Sequence, residues 1–248
     1  MKAFDLDSLL ASLDRPLTIS YLEETGSTND DLKRAALSGA PDYTGEIAGR
    51  QLGGRGREGR TFFSEGGLYM SLLLPARPDV IPFVTHLAAV AVALAVRELT
   101  GETAKIKWVN DVFVKGKKVC GILTENISVG ESRRLVLGIG VNLNTPTADF
   151  PAELRQIAGA VSCDATSLAS LILRRFFDRF DAFSAEQLEE EYRALSFPRG
   201  TKITVIKEKG SREATVLGLT DALALEVLYE DGTQESLISG EVRLKLLL

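Results

Sequence analysis

The sequence predicts an α+β protein in which a large domain of helices and strands is followed by a small β-barrel. Three observations lead to this prediction. Helical and strand patterns are interspersed over residues 1–196, and one of the helices, residues 82–99, is apolar nearly all round. After residue 197 only short strand patterns occur, separated by turn residues. We therefore predict a first domain over residues 1–196 and a barrel domain over residues 197–248.

The helices are predicted from apolar spacing and from the residues at their ends. The helix at residues 82–99 lacks a polar face, so it should be buried in the middle of the first domain. Ser27, followed three residues later by Asp30, is close to a capping box and predicts a helix start. The predicted helices cover residues 5–13, 27–38, 82–99, 166–183 and 185–195.

The strands are predicted from β-branched and apolar runs that turn residues separate. Lys115-Gly116-Lys117 predicts a hairpin turn, and 129–131 predicts a turn between two long paired strands. The strands predicted for the first domain cover residues 17–22, 45–50, 68–74, 105–108, 111–114, 119–127 and 133–141. Those predicted for the barrel cover residues 202–208, 213–219, 223–229, 234–238 and 242–247.

Composition and charge exclude several classes of protein. The chain has 248 residues and a net charge of −5, which argues against a general nucleic-acid or membrane-surface binder. Cys120 and Cys163 are isolated and His86 is the single histidine, which argues against disulfide frameworks and zinc sites. We interpret His86 and Cys120 as packed residues and Cys163 as a loop or helix-flanking thiol. The N-terminus does not resemble a signal peptide and no apolar run spans a membrane, so we expect a cytoplasmic protein.

The segment at residues 52–67 has neither helical nor strand periodicity and contains glycines and the arginines Arg55, Arg57 and Arg60. Glycine lets backbone N–H groups approach an anion, and arginine adds bidentate donors for carboxylate or phosphate. The segment is therefore a candidate anion-binding loop, although a solvated surface loop has the same composition. If it binds an anion, we expect residues 52–66 to be mobile without ligand and ordered with it.

A second candidate segment places a cation, an amide and a carboxylate between two short strands. Lys107, Asn110 and Asp111 supply these groups, and Lys118 opens the next strand. A lysine at that point would place charge beside a carboxylate or phosphate during a reaction. The alternative is a hairpin with solvated lysines.

The third candidate is Ser27-Thr28-Asn29. These residues are typical of a helix N-cap, and a helix N-terminus also offers free N–H groups to a polar ligand. The two interpretations are compatible.

These segments occur in the order and at the spacing of the biotin protein ligases, and the chain resembles that family from about residue 17 to its end. The matching motifs are QLGGRGREGR at 51–60, KWVND at 107–111, KVCGILTE at 118–125, GIGVNLN at 138–144 and SGEV at 239–242. Val109 stands where the family usually has proline, and Phe62 where tryptophan is common. Neither difference removes a charged group.

The resemblance implies a fold and a reaction. The fold is a central mixed β-sheet with packed helices, followed by an SH3-like barrel. The reaction uses ATP and Mg²⁺ to activate biotin as biotinyl-5′-AMP, which then modifies a lysine of a biotin carboxyl carrier protein domain. Because such an intermediate hydrolyses readily, a loop is expected to close over it.

The resemblance also implies roles for individual residues. Lys118, Arg55 and Arg57 are the catalytic candidates. Two further groups are implied, one for biotin and one for the nucleotide, metal or acceptor side, while Mg²⁺ accompanies ATP without a protein metal cluster. The biotin group is Ser27, Thr28, Asn29, Gln51, Arg55, Gly56, Arg57 and Lys118. The second group is Lys107, Asn110, Asp111 and Asn142.

Three further expectations concern partners and alternatives. About sixteen residues precede the first predicted core strand, too few for a helix-turn-helix, so we expect no operator DNA binding. A homodimer through a sheet edge remains open. A lipoate ligase or octanoyl transferase, which shares the fold, and a non-catalytic biotin-binding protein are the alternatives to a biotin ligase.

Overall fold

The computed structural model describes residues 3–56, 59, 62–130, 132–207, 210–238 and 241–244. In the first domain it contains a seven-stranded sheet with the strand order β1-β2-β3-β7-β6-β5-β4. The strands are β1 Thr18–Thr25, β2 Thr44–Gln51, β3 Gly67–Pro75, β4 Ala104–Lys107, β5 Asp111–Val114, β6 Lys117–Val129 and β7 Ser132–Asn142. β1 and β2 are parallel and the other neighbours are antiparallel, so the expected mixed sheet is confirmed.

The described residues of this domain form five helices. They are α1 Leu6–Ala11, α2 Thr28–Leu37, α3 Val84–Thr100, α4 Ala165–Asp181 and α5 Ala185–Leu195. All five were predicted from the sequence, with ends that differ by a few residues. A single 3-10 turn, Ile81–Phe83, leads into α3, which is why that predicted helix begins slightly later than expected.

The helices cover the two faces of the sheet unequally. Because side chains alternate across a strand, Leu73 and Val136 face α2, where they pack with Leu32 and Ala36. The neighbouring residues of β3 and β7 point to the other face and join the main core around α3 and α4. One helix therefore covers part of the first face, and the rest of that face is open to form a cleft.

The central helix α3 is buried as predicted. Ile81–Thr100 is long and apolar enough to cross a membrane by length and composition, yet 61% of its most apolar stretch is buried inside the protein. Its alanines and valines are fully buried against the sheet and α4. The composition of α3 therefore reflects a protein core.

The C-terminal part forms an antiparallel five-stranded sheet with the order β11-β10-β9-β8-β12. Its strands are β8 Lys202–Lys207, β9 Gly210–Leu219, β10 Leu225–Tyr229, β11 Gln234–Leu237 and β12 Glu241–Leu244. This agrees with the expected small SH3-like barrel. α5 ends at Leu195 and β8 begins at Lys202, and the exact domain boundary near residue 197 stays a prediction.

Candidate active site

A cleft of about 610 Å³ lies on the α2 side of the seven-stranded sheet. Its wall includes the N-terminus of α2, the β4–β5 turn and the ends of β6 and β7. The described part of residues 52–67, here called the Gly/Arg loop, also contributes. Eleven of the twelve residues to which the resemblance assigns site roles line it. These are Ser27, Thr28, Asn29, Gln51, Arg55, Gly56, Lys107, Asn110, Asp111, Lys118 and Asn142. The remaining one, Arg57, lies outside the described residues.

The start of α2 is buried in this cleft. Ser27, Thr28 and Asn29 are 5%, 3% and 5% exposed. Ser27 is the N-cap, so the predicted helix start is confirmed, but its side chain accepts no capping hydrogen bond and the bonds of a capping box are not formed. Asp30, the fourth residue of that pattern, pairs with Lys33 and Arg55 instead. The Ser27 hydroxyl is left available to the cleft.

Thr28 joins α2 to two strands of the sheet. Its N–H donates to Oε1 of Gln51, at the end of β2, over 2.9 Å. Its hydroxyl lies 2.7 Å from the hydroxyl of Ser71, which projects from β3. The Gln51 Nε2 group donates to Ser64 Oγ at 3.3 Å. Gln51 is therefore held by both α2 and the far end of the Gly/Arg loop.

Asn29 lies flat against three neighbouring strands. Its Oδ1 accepts from Ser71 of β3 at 2.6 Å, and its Nδ2 donates to Glu125 of β6 at 2.8 Å. Between them, Gly138 of β7 leaves room for the amide, because a Cβ there would lie 2.2 Å from Asn29 Oδ1. Lys33 of α2 binds the second oxygen of Glu125 at 2.6 Å.

The described part of the Gly/Arg loop is closed at its base by backbone hydrogen bonds. Gln51 N–H donates to Ser64 O at 3.1 Å, and Phe62 N–H donates to Gly54 O at 2.8 Å. Arg55 Nε pairs with Asp30 of α2 at 2.8 Å. Residues 57, 58, 60 and 61 lie outside the described residues, and ligand-dependent ordering of the loop stays a prediction.

Phe62 rests on the floor of the cleft. A Cβ on either Gly121 or Gly140, which are paired across β6 and β7, would lie 2.9 Å from its ring. Lys118 Nζ is 5.6 Å from the ring centroid, within the range of a cation–π contact. The two glycines thus create the space that lets an aromatic ring lie against the sheet beside Lys118.

A buried carboxylate holds two lysines at the opposite end of the cleft. Asp111 Oδ1 is 2.7 Å from Lys118 Nζ, and Oδ2 is 2.8 Å from Lys107 Nζ. Burial by itself would raise the pKa of Asp111, but the two ammonium groups hold that pKa below its ordinary value. The Lys118 side chain is 33% exposed, so its ammonium is fixed by Asp111 while still open to the cleft.

Two asparagines complete this end. Asn110 Nδ2 donates to Ile122 O at 2.8 Å, which ties the β4–β5 turn to β6. Asn142 Nδ2 donates to Gly159 O at 2.9 Å. Asn142 Oδ1 is buried without a hydrogen-bond partner among the described residues. This oxygen can therefore accept a hydrogen bond from a ligand in the cleft.

The barrel also reaches this site. Val242, Arg243 and Leu244 of β12 contribute to the cleft wall. Trp108, in the turn that carries Asn110 and Asp111, donates from Nε1 to Leu223 O of the barrel at 2.9 Å. The β4–β5 turn is thus fixed on one side by the sheet and on the other by the barrel.

The structure buries His86 and Cys120, the two residues interpreted as packed. His86 is buried on α3, where burial lowers its pKa to about 4. Cys120 is fully buried, and Cys163 lies half-buried in a loop. Among the described residues, no group of three or more His, Cys, Asp or Glu side chains is arranged to hold a metal ion.

Three polar residues that contact the cleft-lining side chains were not predicted from the sequence. Ser71 interrupts the apolar run of β3, and a lone buried hydroxyl in such a run was a usable signal. Glu125 lies in the motif KVCGILTE, but that motif predicted no role for it. Asp30 was predicted only as part of the helix start at Ser27. Their partners come from other elements, so spacing along the chain did not indicate them.

Comparisons with known proteins agree with this architecture. Residues 21–142 match the Biotin/lipoate A/B protein ligase family. The chain is 33% identical over 242 residues to the bifunctional ligase/repressor BirA of Bacillus subtilis, covering 90% of this chain and 73% of that protein. It is 31% identical over 201 residues to the biotin–[acetyl-CoA-carboxylase] ligase of Mycobacterium tuberculosis, covering 75% and 74%.

A solved structure is similar over almost the whole chain. The biotin protein ligase of Aquifex aeolicus in complex with biotin and ATP superimposes with a TM-score of 0.78 and 27% identity, covering 92% of this chain and 98% of that one. The fold and the sequence relatives thus agree. The chain belongs to the Biotin/lipoate A/B protein ligase family and is a homologue of its biotin protein ligases.

Proposed function

We propose that the protein is an ATP-dependent ligase that activates biotin as biotinyl-5′-AMP and transfers it to a lysine of a biotin carboxyl carrier protein domain. The observation that carries this proposal is one cleft that presents the neutral side chains of Ser27, Thr28 and Asn29 in one part and the ammonium group of Lys118 in another. Biotin has the matching polarity, with a neutral urea ring at one end and a carboxylate at the other.

The neutral end of the cleft is suited to the urea ring. The Ser27 hydroxyl has no capping bond, and Asn29 is held in a fixed orientation. Thr28 and Gln51 support this end through their mutual hydrogen bond. Because these groups are buried and uncharged, they favour a ligand that can fill their hydrogen-bonding capacity. An apolar acyl chain would leave that capacity unfilled, which is why we favour biotin over lipoate.

The cationic end is suited to the first chemical step. A carboxylate oxygen of biotin attacks the α-phosphorus of ATP, a new O–P bond forms, and the bond to pyrophosphate breaks. Lys118 would stabilise the negative charge on the carboxylate and the α-phosphate throughout. Arg55, Gly56 and Arg57 would cover the same groups from the loop. Arg55 is available for this role once it exchanges Asp30 for the ligand.

The nucleotide and acceptor side would be formed by Lys107, Asn110, Asp111 and Asn142. The free Oδ1 of Asn142 would accept a hydrogen bond from a nucleotide amino group. Both oxygens of Asp111 are bound by lysines, which favours a role in holding Lys118 over one in binding metal. Mg²⁺ would therefore accompany the triphosphate, as is usual for nucleotide sites.

In the second step the amine of the acceptor lysine attacks the acyl carbon, and the bond from that carbon to the phosphate oxygen breaks. AMP leaves and an amide forms. The amine loses its proton to water as the amide forms, and we propose that it approaches past Asn110 and Asp111, which line the cleft. We propose a carboxyl carrier domain as the partner, a cytoplasmic location, no operator DNA and no membrane partner. A homodimer through the β1 edge of the sheet is compatible with the strand order.

The decisive experiment is ATP–pyrophosphate exchange with the purified 248-residue chain. Exchange that requires biotin and Mg²⁺, and is not supported by lipoate or octanoate, is the expected result. Exchange with lipoate in place of biotin would favour the lipoate ligase alternative. Biotin binding without any exchange would identify a non-catalytic biotin-binding protein.

A further inference from the structure

The hydrogen bonds that begin at the α2 N-terminus end on a carboxylate that the proposed function does not use. Asn29 Nδ2 donates to Glu125 Oε2 at 2.8 Å, and Lys33 Nζ lies 2.6 Å from Glu125 Oε1. A carboxylate paired with an ammonium group only accepts hydrogen bonds. The Asn29 amide must therefore turn its NH₂ group toward β6 and its oxygen toward β3.

The number of hydroxyl protons determines which atom donates in the hydrogen bonds of Ser71 and Thr28. Ser71 has one O–H, and the Oδ1 of Asn29 can only accept, so that proton belongs to the bond between them. The Thr28 hydroxyl must then donate to Ser71 Oγ. The Thr28 backbone N–H serves Gln51 Oε1. From the Thr28 hydroxyl through Ser71 and Asn29, each side-chain donor therefore points toward Glu125.

Gly138 prevents the Asn29 amide from tilting out of its hydrogen bonds to Ser71 and Glu125. A Cβ at Gly138 would lie 2.2 Å from Asn29 Oδ1, so the amide is seated directly on the backbone of β7. With its oxygen held on one strand and its nitrogen on another, Asn29 can change only by exchanging the two ends. Its second N–H and its second lone pair therefore have fixed places at the cleft.

We infer that Glu125 is a positioning residue that decides which way round the Asn29 amide faces the cleft. Through Asn29 it sets the pattern of donor and acceptor offered to the urea ring of biotin. The inference rests on the proposed function, because a urea ring is the part of biotin that distinguishes the two orientations. The urea carbonyl accepts hydrogen bonds and the two urea N–H groups donate them. An Asn29 amide with its oxygen and nitrogen exchanged would therefore mismatch at least one of these groups.

A neutral amide at position 125 should release this constraint. In Glu125→Gln, Lys33 attracts the new amide's oxygen and leaves its NH₂ group facing Asn29. Asn29 then turns its oxygen toward β6, and its NH₂ group donates to Ser71.

The rest of the chain can reverse along with it. Ser71 then donates to Thr28 Oγ1, and the Thr28 hydroxyl donates to Gln51 Oε1, which already lies 3.0 Å away. No buried polar group loses its partner in the reversed arrangement, so the substitution changes orientation at little cost to folding.

The test is calorimetric titration of the full chain with biotin and with 2-iminobiotin. 2-Iminobiotin carries a guanidinium at neutral pH and so offers donors where biotin offers its acceptor. Wild type should prefer biotin, and Glu125→Gln should lower the ratio of the two affinities by about tenfold. Glu125→Ala, which leaves the amide free to turn either way, should lower it by a smaller factor. Glu98→Gln, which breaks an ion pair with Arg175 away from the cleft, is the matched control and should leave the ratio unchanged.

A second arm separates positioning from general damage. If Glu125 acts through Asn29, then Glu125→Gln should change the ratio no further when Asn29→Ala is already present. A change of the same size in that background would overturn the inference, as would an equal loss of both affinities in Glu125→Gln alone. Wild type that fails to bind biotin would instead overturn the proposed function.

Discussion

The two faces of the seven-stranded sheet are made from the same strands, but one forms the apolar core and the other forms the cleft. On the α3 face, Leu72, Leu74 and Leu137 pack into a continuous apolar core with no polar partner required. On the α2 face, residues one position along the same strands include Ser71 and Gly138, which frame the cleft. The first face depends on volume and apolarity, and the second depends on pairing individual donors with acceptors. Substitutions on the two faces should therefore affect different measurements.

The largest effect is expected on the α3 face. Leu87 is fully buried in α3, and Leu87→Ala should lower the free energy of unfolding by about 2–5 kcal/mol because it leaves a cavity. Biotin affinity measured well below the melting temperature should not change. Chemical denaturation and titration of the same sample provide both numbers. Leu10→Ala, at a 36% exposed position of α1, is the control, and a matching loss of stability there would refute the argument from burial.

The next effect belongs to the cationic end of the cleft. Lys118→Ala should reduce adenylate formation by a factor of hundreds or more, because one electrostatic contact to the reacting groups is worth about 3–4 kcal/mol in the barrier. The fold should be retained, since Asp111 keeps Lys107. Pyrophosphate exchange measures the rate. Lys115→Ala, in the exposed hairpin turn, should behave like wild type, and exchange by the Lys118 variant within threefold of wild type would exclude the proposed role.

The contrast between the α3 face and the α2 face also explains which features the sequence predicts well. The α3 face follows from apolar periodicity, and all five helices and the strands of the sheet were predicted from such patterns and from turn residues. The hairpin at Lys115 and Gly116 was also predicted, and both residues have the positive φ that such a tight turn requires. These features depend on neighbours within one segment.

The α2 face was predicted only in part, for a physical reason. Ser27, Thr28 and Asn29 were singled out, but Ser71 and Glu125 became their partners only because β7 lies between β3 and β6. That strand order cannot be obtained from the spacing of residues along the chain. The helix start at Ser27 was predicted, but the pairing of Asp30 with Arg55 of a distant loop was not.

A smaller effect should follow from filling the space on β7 that Asn29 occupies. In Gly138→Ala the new methyl group would lie 2.2 Å from Asn29 Oδ1, so the amide must leave its bonds to Ser71 and Glu125. Biotin affinity should fall by on the order of tenfold, as expected for about one hydrogen bond. Gly66→Ala is the matched control, because nothing lies within 4 Å of a Cβ there. Equal affinities in the two variants would show that Asn29 can move freely.

The smallest effect concerns a carboxyl group under α2 that takes no part in the cleft. Burial, together with a hydrogen bond and repulsion from the Asp31 carboxylate, raises the pKa of Glu46 from 4.5 to about 8. Since folding favours the protonated form of Glu46, the stabilising contribution of this group is complete below pH 4.5 and is lost as the pH rises through about 8.

Glu46→Gln keeps a neutral donor toward Asp31 at every pH. The variant should match wild type near pH 5 and exceed its melting temperature by about 2–4 °C above pH 8, after allowance for solvent screening. Thermal melts from pH 5 to pH 9 measure the difference, with the exposed Glu153→Gln as control. A constant difference across that range would mean that Glu46 is ionised in the folded protein and that Asp31 does not share a proton with it.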